Sequence, residues 1–76
     1  MIAYHEEDIL SSTHASIINL FEQARIRKTI DLVINSAKIN SGLFDVPWSK
    51  TAEIIENVSS HYRQHFNSLR WNVWSL

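Results

Sequence analysis

Two histidines in the last third of the chain have the spacing of a metal-binding pair. His61 and His65 would lie on one side of a helix, where both imidazoles can face one Zn²⁺ ion. The glutamate that follows the first histidine in zinc peptidases is absent, because Tyr62 stands there. We expect His65 to border the apolar face of that helix and His61 to be solvated, so the sequence predicts no metal and no cofactor.

Catalytic chemistry has little support in the residue pattern. Serine, histidine and carboxylate side chains are all present, but no nucleophile elbow marks any one serine. The chain has a single glycine, which excludes a glycine-rich phosphate loop, and no cysteine, which excludes disulfides and thiolate metal sites. The sequence therefore predicts that the protein is not an enzyme.

A short basic cluster lies near the middle of the chain. Arg25, Arg27 and Lys28 can contact phosphate groups if they lie at a helix end or a turn. The net charge of −1 argues against nucleic acid as the main partner, because domains that bind phosphate backbones are usually basic. Nucleic-acid binding through this cluster is therefore the alternative function, and solvated charges paired with Glu22 and Asp31 are the simpler interpretation.

Arginine and tryptophan side chains gather toward the end of the chain. If the last helix were straight, Trp71 and Trp74 would leave its apolar face and lie among polar residues. Tryptophan and arginine are typical anchors of protein interfaces. The candidates for partner binding are therefore Arg63, Arg70, Trp71 and Trp74, and the alternative is that both tryptophans fold back onto the core.

Length and composition predict one folded domain over residues 1–76. A chain of 76 residues buries roughly 60–65% of its unfolded surface, so its own core is marginal and a second subunit would help. The hydrophobic share of 45% argues against disorder. No signal-peptide pattern and no apolar run of about 20 residues are present, which predicts a cytoplasmic protein without membrane association.

The strongest periodic pattern predicts a helix over residues 46–72. Apolar residues recur there with the three- and four-residue spacing of one helix face. We expect this face to form the core, and its members are Ile55, Val58, Tyr62, Phe66, Leu69 and Val73.

The only glycine and the only proline lie close together and predict a turn between two helices. Gly42 can end one helix in the left-handed conformation, and Asp45 can begin the next helix with Pro47 in its first turn. We expect Leu43 and Phe44 to close the end of the core.

The pattern before this turn predicts a second long helix over residues 14–40. Capping residues at 11–13 would separate it from a short helix at 4–10, and one continuous helix over 4–40 is the alternative. Its apolar face changes side near residues 25–28, which predicts a kink or a break there, or burial on two sides in a dimer. The first face comprises Ile17, Leu20, Phe21 and Ala24, and the second comprises Ile26, Ile30, Val33, Ile34 and Ala37.

A strand is the remaining possibility for the β-branched residues at 29–34. The absence of flanking turn residues and of a second strand pattern argues against it. The sequence thus predicts an all-α fold, a helical hairpin of two long helices with a short N-terminal extension, paired as a dimeric helical bundle. Its predicted function is that of a small regulatory, adaptor or inhibitor protein that binds a protein partner through helix faces.

Overall fold

Helices and strands alternate along the chain in the computed structural model, which describes residues 5–40 and 45–74. The fold is therefore a mixed α+β arrangement, and the predicted all-α helical hairpin is wrong. The elements are helix α1 (Glu6–Ile26), strand β1 (Asp31–Ala37), helix α2 (Trp48–Tyr62), a 3₁₀ turn (Arg63–His65) and strand β2 (Ser68–Trp74).

The two strands form a parallel sheet. Asp31 is opposite Ser68 at one end of the pairing, and Ala37 is opposite Trp74 at the other. Parallel neighbours cannot be joined by a tight turn, so the chain must return to the start of the sheet between them. Helix α2 makes that return, and β1, α2 and β2 together form a β–α–β unit.

Both helices run in the same direction. Near their first turns, the Lys50 Nζ of α2 lies 2.6 Å from the Glu6 Oε2 of α1. Near their last turns, the Tyr62 hydroxyl donates a 2.6 Å hydrogen bond to the Glu22 Oε1. The two helix N-termini therefore lie together at the end of the sheet where α2 begins.

The core lies between the helix pair and one face of the sheet. Phe21 is fully buried at its centre and stacks on Tyr62, with ring centroids 5.3 Å apart. Its ring centroid is also 6.2 Å from the ring centroids of Phe66 and Trp71. The predicted burial of Tyr62 and Phe66 is confirmed, as is that of Ile55 and Val58, whereas Leu69 is partly buried.

The predicted helix over residues 14–40 is wrong beyond residue 26. Helix α1 ends at Ile26, and Lys28 takes a positive φ of 59°, which reverses the chain without a glycine. The backbone N–H of Thr29 then donates to the carbonyl of Ala24 at 3.0 Å. The predicted break near 25–28 is thus confirmed, but the β-branched residues after it form β1, where they suit a pleated surface.

The predicted helix over residues 46–72 is also wrong in its second half. Helix α2 ends at Tyr62, and Phe66 is already extended, with φ −127° and ψ 146°. In β2 the side chains alternate between faces, so Leu69 and Trp71 pack against the core. The apparent seven-residue repeat therefore combined a helix face with a strand face.

The N-terminal part of the chain forms one continuous helix where two had been predicted. The three residues at 11–13 do not interrupt α1, because the Thr13 hydroxyl donates a 2.8 Å hydrogen bond to the carbonyl of Ile9 within the helix. Helix α2 begins at Trp48, directly after Pro47. The predictions for Tyr4, Gly42, Leu43 and Phe44 concern positions outside the described residues.

We predict that Phe21→Ala lowers the free energy of unfolding by about 3–5 kcal/mol, because it empties the centre of the core. Leu20→Ala on the next residue is the matched control, since Leu20 is 38% exposed and should lose less than about 1.5 kcal/mol. Urea denaturation measures both values. Equal losses in the two variants would contradict the described core.

The hydrogen bond from Tyr62 to Glu22 predicts how stability depends on pH. This bond lowers the pKa of Glu22 below its ordinary value of 4.5, against the opposing effect of desolvation. It also raises the pKa of Tyr62 above 10.0. The stability from Glu22 should therefore be lost as pH falls below 4.5, and the stability from Tyr62 should be lost as pH rises above 10.0.

Tyr62→Phe should flatten both limbs of this dependence, and Glu22→Gln should remove the acid limb. Denaturant midpoints measured across the pH range would test the pair. A Tyr62→Phe variant with the same two limbs as the wild type would show that the bond does not form in solution.

Candidate functional site

The carboxyl ends of both strands, the start of α2 and the connection between β1 and α2 lie at one end of the molecule. We call this end the carboxyl edge and define it by Ala37, Asn40, residues 45–47, Trp48 and Trp74. In open α/β sheets, ligands bind outside the carboxyl ends of the strands, where the connections to the helices are free to contact them. The fold therefore makes this edge the candidate site.

The start of α2 gives the carboxyl edge a positive electrostatic potential. The aligned peptide dipoles of a helix place partial positive charge at its N-terminus, where unpaired N–H groups can bind an anion. The first turn of α2 contains no acidic residue. The first turn of α1 contains Glu6, Glu7 and Asp8, which neutralise its own dipole, and Lys50 pairs with Glu6. The α2 terminus is thus the better anion site of the two.

Asn40 shapes the connection between β1 and α2. Its carbonyl accepts a 2.9 Å hydrogen bond from the Val46 N–H, and its side-chain Nδ2 donates to the Thr13 Oγ1 at 2.8 Å. Asn40 and Asp45 have positive φ angles of 68° and 52°. Asparagine and aspartate tolerate this conformation better than other residues with a Cβ. The two bonds hold the connection against α1 and set where α2 begins.

One buried hydroxyl lies in the first turns of α2. Thr51 is fully buried, and its Oγ1 has no hydrogen-bond partner among the residues that the structure describes. A buried hydroxyl without a partner usually destabilises a protein by about 1–3 kcal/mol. Thr51 therefore marks a polar position below the carboxyl edge.

Three of the four residues predicted to bind a partner lie along one cleft. This cleft of about 380 Å³ runs between α2 and β2. We call it the α2–β2 cleft, and Arg63, Arg70 and Trp71 line it together with Trp48 and Glu56.

The two C-terminal tryptophans have different environments. Trp71 faces the core and donates a 2.8 Å hydrogen bond from its Nε1 to the Ser36 Oγ. Trp74 is 63% exposed and does not line the cleft. The prediction that the tryptophans fold back is thus confirmed for Trp71, and whether any of these residues binds a partner stays a prediction.

The basic cluster lies far from the carboxyl edge. Arg25, Arg27 and Lys28 are exposed at the end of α1, directly before β1 begins. The Arg25 Nε lies 3.5 Å from a carboxylate oxygen of Glu22, as the helical spacing predicted. The structure therefore separates this cluster from the N-terminus of α2 by the length of the helix pair.

The two histidines do not share a helix face. His61 belongs to α2 and packs edge-on against Tyr62, with ring centroids 5.3 Å apart, whereas His65 lies in the 3₁₀ turn after the helix has ended. Within residues 5–40 and 45–74, no three histidine, cysteine or acidic side chains converge where they could hold a metal ion.

Across these same ranges, no helix is long and apolar enough to cross a membrane.

The sequence pattern did not reveal the carboxyl edge, because the segment containing Asn40 and Pro47 was interpreted as a turn between two helices. A strand followed by a connection and a helix start has the same punctuation. The signal that distinguishes them is the β-branched content of residues 30–34 before the connection.

The chain is similar to an ADP-ribose 1''-phosphate phosphatase of the yeast Meyerozyma guilliermondii. The two sequences are 36% identical over 58 residues, which is 66% of this chain and 33% of the yeast protein. The chain thus spans about a third of the length of the curated relative that it matches. No family model matches the chain. No solved structure matches it either.

This similarity corrects the prediction that the protein is not an enzyme, because the relative is named as a phosphatase. That prediction depended on the absence of a glycine-rich loop and of a nucleophile elbow. Neither is required where a helix N-terminus binds the phosphate.

We predict that Asn40→Ala destabilises the protein by roughly 2 kcal/mol, because it loses a side-chain hydrogen bond and forces alanine into the left-handed region. Asn40→Gly should lose roughly 1 kcal/mol, because glycine takes the positive φ freely and only the bond is lost. Thermal unfolding measures both variants. Equal stability of the two would show that the left-handed conformation of this residue does not matter.

Proposed function

We propose that this chain contributes to an enzyme that removes phosphate from a phosphorylated ADP-ribose, and that the carboxyl edge holds the phosphate. The observation that carries this proposal is the similarity over 58 residues to a protein named as an ADP-ribose 1''-phosphate phosphatase. The parallel β–α–β unit supports it, since such units bind ligands at the carboxyl ends of their strands.

The chemistry of this substrate class suits the start of α2. ADP-ribose 1''-phosphate carries a terminal phosphate and a diphosphate, so recognition requires groups that neutralise negative charge. Hydrolysis breaks the bond between phosphorus and the ribose oxygen while water supplies the new oxygen, and negative charge on the phosphoryl oxygens must be stabilised throughout. Backbone N–H groups and the dipole of α2 supply that stabilisation without any side-chain charge.

Because the chain spans a third of the relative, we assign to it the part of the site that holds the anion. The Asn40 hydrogen bonds fix the connection that leads into α2, and the absence of acidic residues in the first turn of α2 leaves its N-terminus attractive to phosphate. These two features define the contribution of this chain to the proposed enzyme.

The remaining functional predictions are untested by the fold and by the comparisons. A regulatory, adaptor or inhibitor role through helix faces stays a prediction, as do a homodimer and a cytoplasmic location. Nucleic-acid binding through Arg25, Arg27 and Lys28 also stays a prediction. The exposed position of that cluster is compatible with it.

We predict that the chain binds ADP-ribose 1''-phosphate and that Ser49→Asp weakens this binding at least about fivefold, roughly 1 kcal/mol, by placing a carboxylate in the first turn of α2. Ser60→Asp is the matched control, because it makes the same exposed change near the other end of the same helix. Isothermal titration calorimetry measures the affinities, and phosphate release measures turnover.

The two variants also separate binding from folding. Ser49→Asp should stabilise α2 and Ser60→Asp should slightly destabilise it, because of their opposite positions in the helix dipole. Weaker binding in the more stable variant therefore reports on the site itself. No binding by the wild-type chain, or equal weakening by both substitutions, would contradict the proposed site.

A further inference from the structure

Strand β1 has a neighbour on only one of its two sides within the described part of the chain. The sheet there consists of β1 and β2 alone. Parallel sheets normally have more strands and are covered on both faces, and a pair of strands is marginal without further packing. The sequence of β1 contains no lysine and no proline, the residues that usually protect a free edge against pairing. The free side of β1 can therefore accept another strand.

An apolar groove runs beside this free side, beneath α1. It has a volume of about 320 Å³. We call it the α1–β1 groove, and its apolar lining comes from Ile17, Leu20, Ile34 and Ile39. Asn35 also lines it, although its side chain bonds Asn72 on the opposite face of the sheet, so the groove opens at the strand edge.

The dimensions of the groove suit an added strand. A strand paired with β1 would point every second side chain toward the helices, at intervals of roughly 6.6 Å. Those side chains would enter the groove, and backbone hydrogen bonds to β1 would fix their register. This is how extended segments join a free sheet edge, with pockets selecting alternate side chains.

The exposed area of the chain supports a missing partner. Its accessible surface is 5665 Å², whereas a monomeric protein of 8.9 kDa typically exposes ~4800 Å². The excess of ~850 Å² is close to the area that each partner buries in a standard interface. Its radius of gyration of 13.3 Å also exceeds the ~11.4 Å typical of 76 residues.

The free side of β2 suits an apolar strand less well. The α2–β2 cleft beside it contains Arg63, Arg70 and Glu56, whose charges would lose water if apolar side chains covered them. The two sides of the sheet therefore differ in character, and the apolar one is next to β1.

We propose that the α1–β1 groove and the free side of β1 receive an apolar β-strand from a complementary polypeptide. This polypeptide is equivalent to the two thirds of the phosphatase relative that lie outside the matched segment. The match covers 33% of the relative, so most of the chain that completes its fold has no counterpart in these 76 residues. The proposal goes beyond the proposed function and does not depend on phosphatase activity.

Co-expression tests it directly. The tagged full chain is produced together with the Meyerozyma guilliermondii phosphatase from which the matched 58 residues have been deleted. The deleted segment, supplied separately in the same way, calibrates how much complex the truncated phosphatase forms. We expect the full chain to recover the truncated phosphatase in a one-to-one complex on affinity purification and size-exclusion chromatography.

Two substitutions on α1 locate the contact. Leu20→Lys places a charge in the groove and should weaken the complex at least about tenfold, since a desolvated charge is strongly unfavourable there. Asn19→Lys adds the same charge to an adjacent exposed residue that does not line the groove, and should leave the complex intact. Circular dichroism of both isolated variants confirms that they fold.

Failure of the full chain to recover the truncated phosphatase would overturn the proposal, as would equal effects of the two lysines. If the chain alone forms a dimer that Leu20→Lys dissociates and Asn19→Lys does not, a second copy occupies the groove and the proposal is also wrong. Ligand affinity is measured separately, so a chain that forms the complex but does not bind ADP-ribose 1''-phosphate would overturn only the proposed function.

Discussion

Parallel pairing of β1 with β2 is the constraint on which the rest of the structure depends. Because two parallel strands begin at the same end of the sheet, the chain must cross back between them, and α2 is that crossing. The crossing places the α2 N-terminus at the carboxyl edge. Phe21 of α1 then packs on Tyr62 at the end of α2, which fixes the two helices side by side over the same face of the sheet.

The candidate site follows from that crossing and not from any reactive side chain. The connection held by Asn40 delivers the chain to α2, and the dipole of α2 supplies a positive end that no local carboxylate neutralises. Function is therefore carried by backbone geometry, which leaves few marks in the residue types. A search for catalytic side chains accordingly found none, although the relative is named as a phosphatase.

Much of the core was predictable, but the class of fold was not. Burial of Ile17, Phe21, Ile55 and Tyr62 followed from helical spacing, because each of these residues does lie on a helix. The strands were missed because Lys28 reverses the chain at a positive φ without glycine, and because the strand face of β2 continued the spacing of α2 by coincidence. The site was missed for a related reason: once β1 was interpreted as helix, the connection after it became a hairpin turn. A partner strand leaves no signal at all in the sequence of the edge that it joins.

Amide chemical shifts measured during a titration with ADP-ribose 1''-phosphate test the central claim most directly. The claim is that the start of α2 at the carboxyl edge binds the phosphate. It predicts saturable shifts of the Ser49 and Lys50 amides and of Asn40 in the connection, while Arg27 and Lys28 at the opposite end of the molecule stay unchanged. Shifts confined to the basic cluster, or none at α2, would contradict the account.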